Sequence, residues 1–233
     1  MGPLTSGDAL DGLEIRRAST SDQVADAVRT MILRGQLPPG TQLREVPLAE
    51  SIGISRNTVR EAVRVLARQG LVTHSMHRGA VVTRLTEHDV VDLIRARRTL
   101  ESQAIEAAGN AAPDELRALD EIILELERAA TDGDWDRMVD ADWSFHRRLV
   151  SFLGSPRLDR FFETIQAEMR LCLSILDRED DDPDELVDEH RELRDLIANR
   201  ATERCIARLG EHLDDAELRL RLIARSWEEQ TKQ

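Results

Sequence analysis

The chain predicts a mainly α protein in two parts: a small helical head closed by a β-hairpin, then an all-α antiparallel helical bundle. Three observations predict it. Apolar residues recur at helical spacing through most of the 233 residues. Strand signals are confined to LVTHSMHRGAVVTRL and vanish from Thr86 onward. Aromatic residues are scarce, with four Phe, three Trp and no Tyr, so Leu, Ile, Val and Ala must fill the core, which suits packed helices.

Each element has its own signal. In SDQVADAVRTMILRG, Val24, Ala27, Val28, Met31 and Ile32 fall at helical spacing, with Ser21 as the expected cap and Gly35 as the stop. Pro38-Pro39-Gly40 cannot continue a helix, so QLPPGTQL reads as a turn. VPLAESIG is a short second helix ended by Gly53. Ser55 or Asn57 can cap a third, RNTVREAVRVLARQ, whose buried face is Val59, Ala62, Val63 and Leu66. LVTH and AVVTRL follow as two short strands around SMHRG, with Gly79 in the turn. Helix, short helix, turn, helix and β-hairpin is the order of a winged helix-turn-helix.

The bundle begins at Thr86, which with Asp89 loosely resembles a capping box, Asp standing in place of the usual Glu or Gln. Its helices are expected from there to about Ala108, from Pro113, from Asp134 to Leu153, across Arg157–Leu176, from Asp184 to Asn199, and from Thr202 to about Trp227. Gly154-Ser155-Pro156 breaks the third from the fourth, and DREDDDPDE reads as a solvated loop. Short connections make neighbours antiparallel. The expected organisation is a flexible tail over 1–18, a winged head over 19–85 and an all-helical domain over 86–228.

Net charge is -13, but it is unevenly spread. Residues 1–84 carry 11 Arg and 8 acidic residues, whereas 85–233 carry 21 basic and 37 acidic. A basic head on an acidic body fits a partner that is negatively charged and met only by the head. Arg56 and Arg60 lie four apart on the exposed edge of the third helix, where a guanidinium can pair bidentately with guanine or clamp a phosphate. Arg64 and Arg68 continue the row as a solvated face. No apolar run approaches ~18 residues, so no membrane span is expected. The N-terminus lacks an apolar signal core, so the expected compartment is the cytoplasm. Cys172 and Cys205 have no CxxC pairing and read as reduced, buried thiols.

Polar groups interrupt three apolar stripes of the bundle. Asp142 and His146, four apart, share one helix face with Trp135, Met138, Val139, Leu149 and Leu153. His190 breaks the stripe Leu186, Leu193, Ile197, and His212 breaks Leu209, Ala216, Leu220. A divalent metal between the helices is the economical reason to bury them together. Three imidazoles and one carboxylate suit Zn first, with Ni, Mn or Co as alternatives, and leave positions open for water or an anion. His74, His77 and His88 lie in the wing or near the boundary and are given no metal role. Arg97 falls on the inward stripe of the first bundle helix, with Glu101 one turn on as a partner.

LPPGTQLREVPLAESIGISRNTVREAVRVLARQGLV resembles the winged helix-turn-helix of the GntR family of bacterial regulators. The match is close in GISRNTVREAVRVL, and the PPG-x-x-L-x-E approach and the RGAxV wing match too. The resemblance implies a recognition helix in the major groove and a wing on the backbone or minor groove. It places Arg56 and Arg60 on bases or phosphates, and Ser55, Asn57 and Thr58 near phosphates. Arg44 and Glu45 fall in the approach, and His77, Arg78 and Gly79 at the wing tip. Some members carry Arg after that Glu, where this chain has Val46.

Residues 87–227 resemble the FadR C-terminal (FCD) effector domain of one GntR subfamily. Its metal-binding branch uses Asp-x-x-x-His on one helix and one His on each of two later helices, a pattern present here as Asp142, His146, His190 and His212. The resemblance also implies that Arg97, or its neighbour Arg98, faces the metal cavity and grips an effector carboxylate. The expected protein is a homodimeric repressor without enzymatic activity, carrying one divalent metal per chain. It would bind a short palindromic operator in double-stranded DNA and respond to a small organic acid. A metalloenzyme, and a purely structural metal, are the rival readings.

Overall fold

A computed structural model describes residues 19–76, 78–173 and 182–231. The expected N-terminal tail, His77, the end of the fourth bundle helix at Leu176 and residues 177–181 of the acidic stretch lie outside the described residues.

The head opens with α1 (Thr20–Leu33). Its cap is Ser19, two residues before the expected Ser21, because Asp22 stands three residues on and closes a reciprocal capping box. Then come α2 (Glu45–Ile52) and α3 (Arg56–Arg68), which Ser55 caps by accepting from the Thr58 N–H at 3.1 Å. The wing is β2 (Val72–Ser75) and β3 (Gly79–Val82), paired antiparallel with Val72 opposite Val82 and Ser75 opposite Gly79. The stretch read as a turn also holds a short strand, β1 (Gln42–Leu43), on the other edge of β3, giving the order β1-β3-β2. The Val82 N–H donates to Thr41 O and the Gly40 N–H to Val82 O, which pins this strand. β3 stops short of the expected Leu85, because the Thr83 N–H and hydroxyl turn back to Leu71 O and Gly70 O.

Six helices follow among the described residues: α4 (Glu87–Ala108), α5 (Pro113–Asp132), α6 (Trp135–Ser151), α7 (Pro156–Leu173), α8 (Pro183–Ala198) and α9 (Thr202–Thr231). The Thr86–Asp89 capping box starts α4. The longest packing seams join α4 to α9 and α5 to α6, with α8 against both α5 and α9. Phe145, Phe162, Ile105, Leu119 and Leu149 are fully buried between them. Emptying such a position costs about 2–5 kcal/mol.

α7 belongs to both parts of the molecule. Leu171 is fully buried and sits in the head's apolar cluster with Ile32, Val63, Leu66 and Leu71, and Ala167 packs against the same cluster. Phe162, Ile165, Met169 and Cys172, on the same helix, sit in the bundle core. Glu168 lies over Gly70 so closely that a Cβ there would stand 2.5 Å from its carboxylate, and Gly70 holds φ at +75°. That position therefore suits glycine on two counts.

Candidate metal centre and nucleic-acid face

Asp142 and His146 come from α6, His190 from α8 and His212 from α9. One donor atom from each lies within 4.8 Å of the others. His146 and His190 are fully buried, His212 nearly so, and the Asp142 side chain retains 15 % exposure. The His190 Nε2 lies 3.1 Å and the His146 Nε2 3.5 Å from Asp142 Oδ1. These distances are short, yet neither nitrogen has a well-aligned hydrogen-bond partner among the described residues.

The other nitrogen of each ring is already held. His146 Nδ1 lies 2.6 Å from Glu101 Oε2, His190 Nδ1 2.8 Å from Leu186 O, and His212 Nδ1 2.9 Å from Glu189 Oε2. An acceptor at Nδ1 fixes the tautomer with the proton on Nδ1 and frees the Nε2 lone pair. Three oriented rings, one carboxylate and two orphaned buried nitrogens make a donor set that fits a divalent ion.

The electrostatics agree. Burial pushes the Asp142 carboxyl up, but His146 and His190 hold it well below the usual carboxylate range. Burial also opposes ionisation of Glu101, and Arg97 and His146 outweigh it to bring that carboxyl down to about 2. Burial pushes the His212 imidazole down, with Glu189 offsetting only part of the effect. Burial pushes the His146 imidazole down, but the Glu101 charge and the side-chain contacts with Asp142 and Glu101 together outweigh it and raise it. A cation is thus favoured at this spot, and a divalent ion competes with a proton for it.

Beside the four residues lies a cavity of about 140 Å³, lined among others by Arg97, Trp143, Asp142, Glu189, His212 and Met169. Arg97, 2 % exposed, is both the partner of Glu101 and a lining residue of the cavity. Its Nε donates to Glu101 Oε1 at 2.7 Å, while Nη2 is buried with no hydrogen-bond partner. Its guanidinium stacks 4.7 Å from the centre of the Trp143 ring. Arg98 turns the other way, to Gly210 O and Asp214.

Sequence reasoning missed three residues here. Glu101 was read only as the partner of Arg97, but its second oxygen takes His146. Glu189 orients His212, and Trp143 lines the cavity. Glu189 and Trp143 immediately neighbour His190 and Asp142, and that adjacency is the one signal they carry. The cysteines are free and buried, and burial pushes each thiol up to about 12.

On the head, Arg56, Asn57 and Arg60 are exposed along the start of α3, and Arg44, Arg78 and Gly79 are exposed beside it and in the wing. Arg56 has no hydrogen-bond or ion-pair partner among the described residues. Arg60 does, donating from Nε and Nη2 to the Glu45 carboxylate at 2.8–3.2 Å. Arg44 donates to Gln42 Oε1, and Ser55 and Thr58 share a hydroxyl contact at 2.8 Å within the helix cap.

Residues 20–82 match the family model "Bacterial regulatory proteins, gntR family", and residues 92–215 match the FCD domain. The chain belongs to the GntR family. A relative from Paenarthrobacter nicotinovorans, named as a probable D-xylose utilization operon transcriptional repressor, is 31% identical over 186 residues, covering 78% of this chain and 80% of that protein. The gluconate operon transcriptional repressor of Bacillus licheniformis is 27% identical, covering 87% and 86%. A GntR transcriptional regulator from Rhodococcus sp. RHA1 superposes with a TM-score of 0.74 at 29% identity, covering 86% of this chain and 96% of that one. The E. coli McbR/YncC structure, at 23% identity and a TM-score of 0.72, shares the fold. This GntR chain is accordingly a DNA-binding transcriptional regulator and not an enzyme. No helix among the described residues is long and apolar enough to cross a membrane.

Proposed function

We propose that this GntR regulator is a cytoplasmic homodimeric repressor whose hold on a palindromic operator is set by a small carboxylate bound at a metal centre in the bundle. The division of labour is a reading head over 19–85 and a sensing bundle over 86–228. Arg56 and Arg60 read bases or phosphates in the major groove. Arg44, Ser55, Asn57 and Thr58 steady the backbone, and His77, Arg78 and Gly79 carry the wing contact. Asp142, His146, His190 and His212 hold one divalent ion, with zinc the first candidate. An ion held there would supply a Lewis-acidic position for an oxygen anion. Arg97 adds a second donor beside it through its unpartnered Nη2.

The observation that carries ligand control is the dual membership of α7. Met169 lines the cavity while Leu171, two residues on, is buried in the head's core. A ligand that favours one seat for Met169 favours one seat for the head, and so one spacing of the two reading helices in a dimer.

The test is an operator titration in the presence of acetate as the minimal carboxylate probe, then of a panel of hydroxy, sugar, dicarboxylic and amino acids. At least one acid should change operator affinity in the metal-loaded protein and not in the chelated protein. An operator affinity indifferent to every acid and to chelation would overturn ligand control while leaving the DNA function standing.

A further inference from the structure

The cavity is polar in one direction. At its depth the unsatisfied groups are donors: Arg97 Nη2 and Trp143 Nε1 are both buried, both lack hydrogen-bond partners, and both belong to residues that line it. The two side chains are in contact, the guanidinium lying over the indole. At the mouth the groups are mostly acceptors. Five carboxylates line the cavity, on Asp142, Asp182, Glu185, Glu189 and Asp215, against the two guanidiniums of Arg97 and Arg219. Asp182, Glu185 and Asp215 are solvent-exposed. Glu189 is bridged to Arg208 at 2.9 Å and to His212, and Arg97 to Glu101, so these pairs contribute little net charge. The mouth keeps an excess of negative charge after they are discounted.

We infer that the effector is a small acid with one carboxylate at the deep end and an ammonium at the other, with Trp143 Nε1 as a donor to the carboxylate. This rests on the proposed carboxylate site and adds its orientation and its far end. A buried donor left without an acceptor is costly, and two of them on contacting side chains that line one cavity can serve the two oxygens of one carboxylate. A second carboxylate at the far end would meet Glu185 and Asp215 instead, where like charges repel in a partly enclosed site. An ammonium there gains the same contacts with opposite sign. Trp143 is thus a positioning donor as well as the ring that holds Arg97 in place.

Matched straight-chain acids separate the two ends: valerate, δ-aminovalerate and glutarate share a backbone and differ only in the terminal group. Calorimetry and intrinsic tryptophan fluorescence on the metal-loaded full chain give two readouts of binding. δ-Aminovalerate should bind about tenfold tighter than glutarate, the size of one partly screened charge contact, with valerate between them. Glu185→Gln/Asp215→Asn should erase that order and leave valerate unchanged. Trp143→Phe keeps the ring and removes the donor, so it should weaken acetate and all three acids by a similar factor with metal content unchanged. Acetate binding with glutarate equal to or tighter than δ-aminovalerate overturns the ammonium end and spares the carboxylate site. Unchanged acetate binding in Trp143→Phe overturns the role of Trp143. Absence of binding by acetate and every acid overturns the carboxylate site itself, and this inference with it.

Discussion

Met169 and Leu171 stand two positions apart on α7 and bury into different structures, Met169 at the cavity of the bundle and Leu171 in the apolar cluster of the head. Two residues on a helix are more than half a turn apart, so one rigid helix presents both faces at once. Met169→Ala should leave operator affinity of the unliganded protein within about twofold and reduce the change that an effector produces. A gel shift with and without the acid reads both. Leu171→Ala, by contrast, should lower unfolding free energy by about 2–5 kcal/mol, measured by urea titration.

Arg56→Ala should weaken operator binding by about 1–3 kcal/mol, the value of a good bidentate base contact, with fold and metal content intact. Arg60→Ala should weaken it too, and should also leave Glu45 facing the DNA unpaired. Affinity of the wild type should fall steeply with salt, since phosphate contacts release counterions. Operator titrations at several ionic strengths test this, and unchanged affinity in both variants would remove these arginines from the reading face.

Protein purified without added metal should hold about one divalent ion per chain, and His190→Ala/His212→Ala should not. Elemental analysis of the two samples decides. Metal should leave as pH falls below about 6.5, because binding needs neutral imidazoles. Glu189→Gln replaces the charged acceptor at His212 Nδ1 and should lower metal affinity about 10–100-fold.

The pair Arg97–Glu101 makes a separate pH prediction. Glu101 titrates near 2 in the folded protein against an ordinary value of 4.5. A depressed carboxyl contributes stability that is fully present above 4.5 and is lost as pH falls toward 2. Metal-free wild type should therefore lose stability across that window, and Glu101→Gln should show a shallower loss. At neutral pH the variant should be less stable by about 3–5 kcal/mol, as Arg97 is left buried without its counter-charge. Denaturant titrations across pH measure both.

Arg97→Met should abolish the effector response while leaving DNA affinity of the unliganded protein nearly unchanged. Calorimetry with the effector and a gel shift would show it. An Arg97→Met variant that binds the acid as tightly as wild type would leave Arg97 as the structural partner of Glu101 alone.

Much of this was legible in the sequence because helices write their buried face at a fixed period. The stripes broken by Asp142, His146, His190 and His212 converge in space, since each break marks a polar group on an inward face. Arg97 could be placed inward by the same rule. What periodicity cannot carry is which atom of a side chain meets which neighbour. Glu101 divides its two oxygens between Arg97 and His146, and no spacing reveals that. β1 was missed because a two-residue strand has no period of its own and forms only through its partner β3. The burial of Leu171 in the head is equally silent, because an apolar residue on α7 looks the same whichever core receives it.

The bridge between Glu45 and Arg60 gives the reading helix an occupant of its own. The carboxylate takes the Nε and Nη2 side of the guanidinium and leaves Nη1 without a partner among the described residues. A side chain that would otherwise sweep through many rotamers is thereby held in one direction on the exposed edge of α3. In the proposed contact with the operator, the ordering of Arg60 is already done before the duplex arrives, and less conformational entropy is lost on binding.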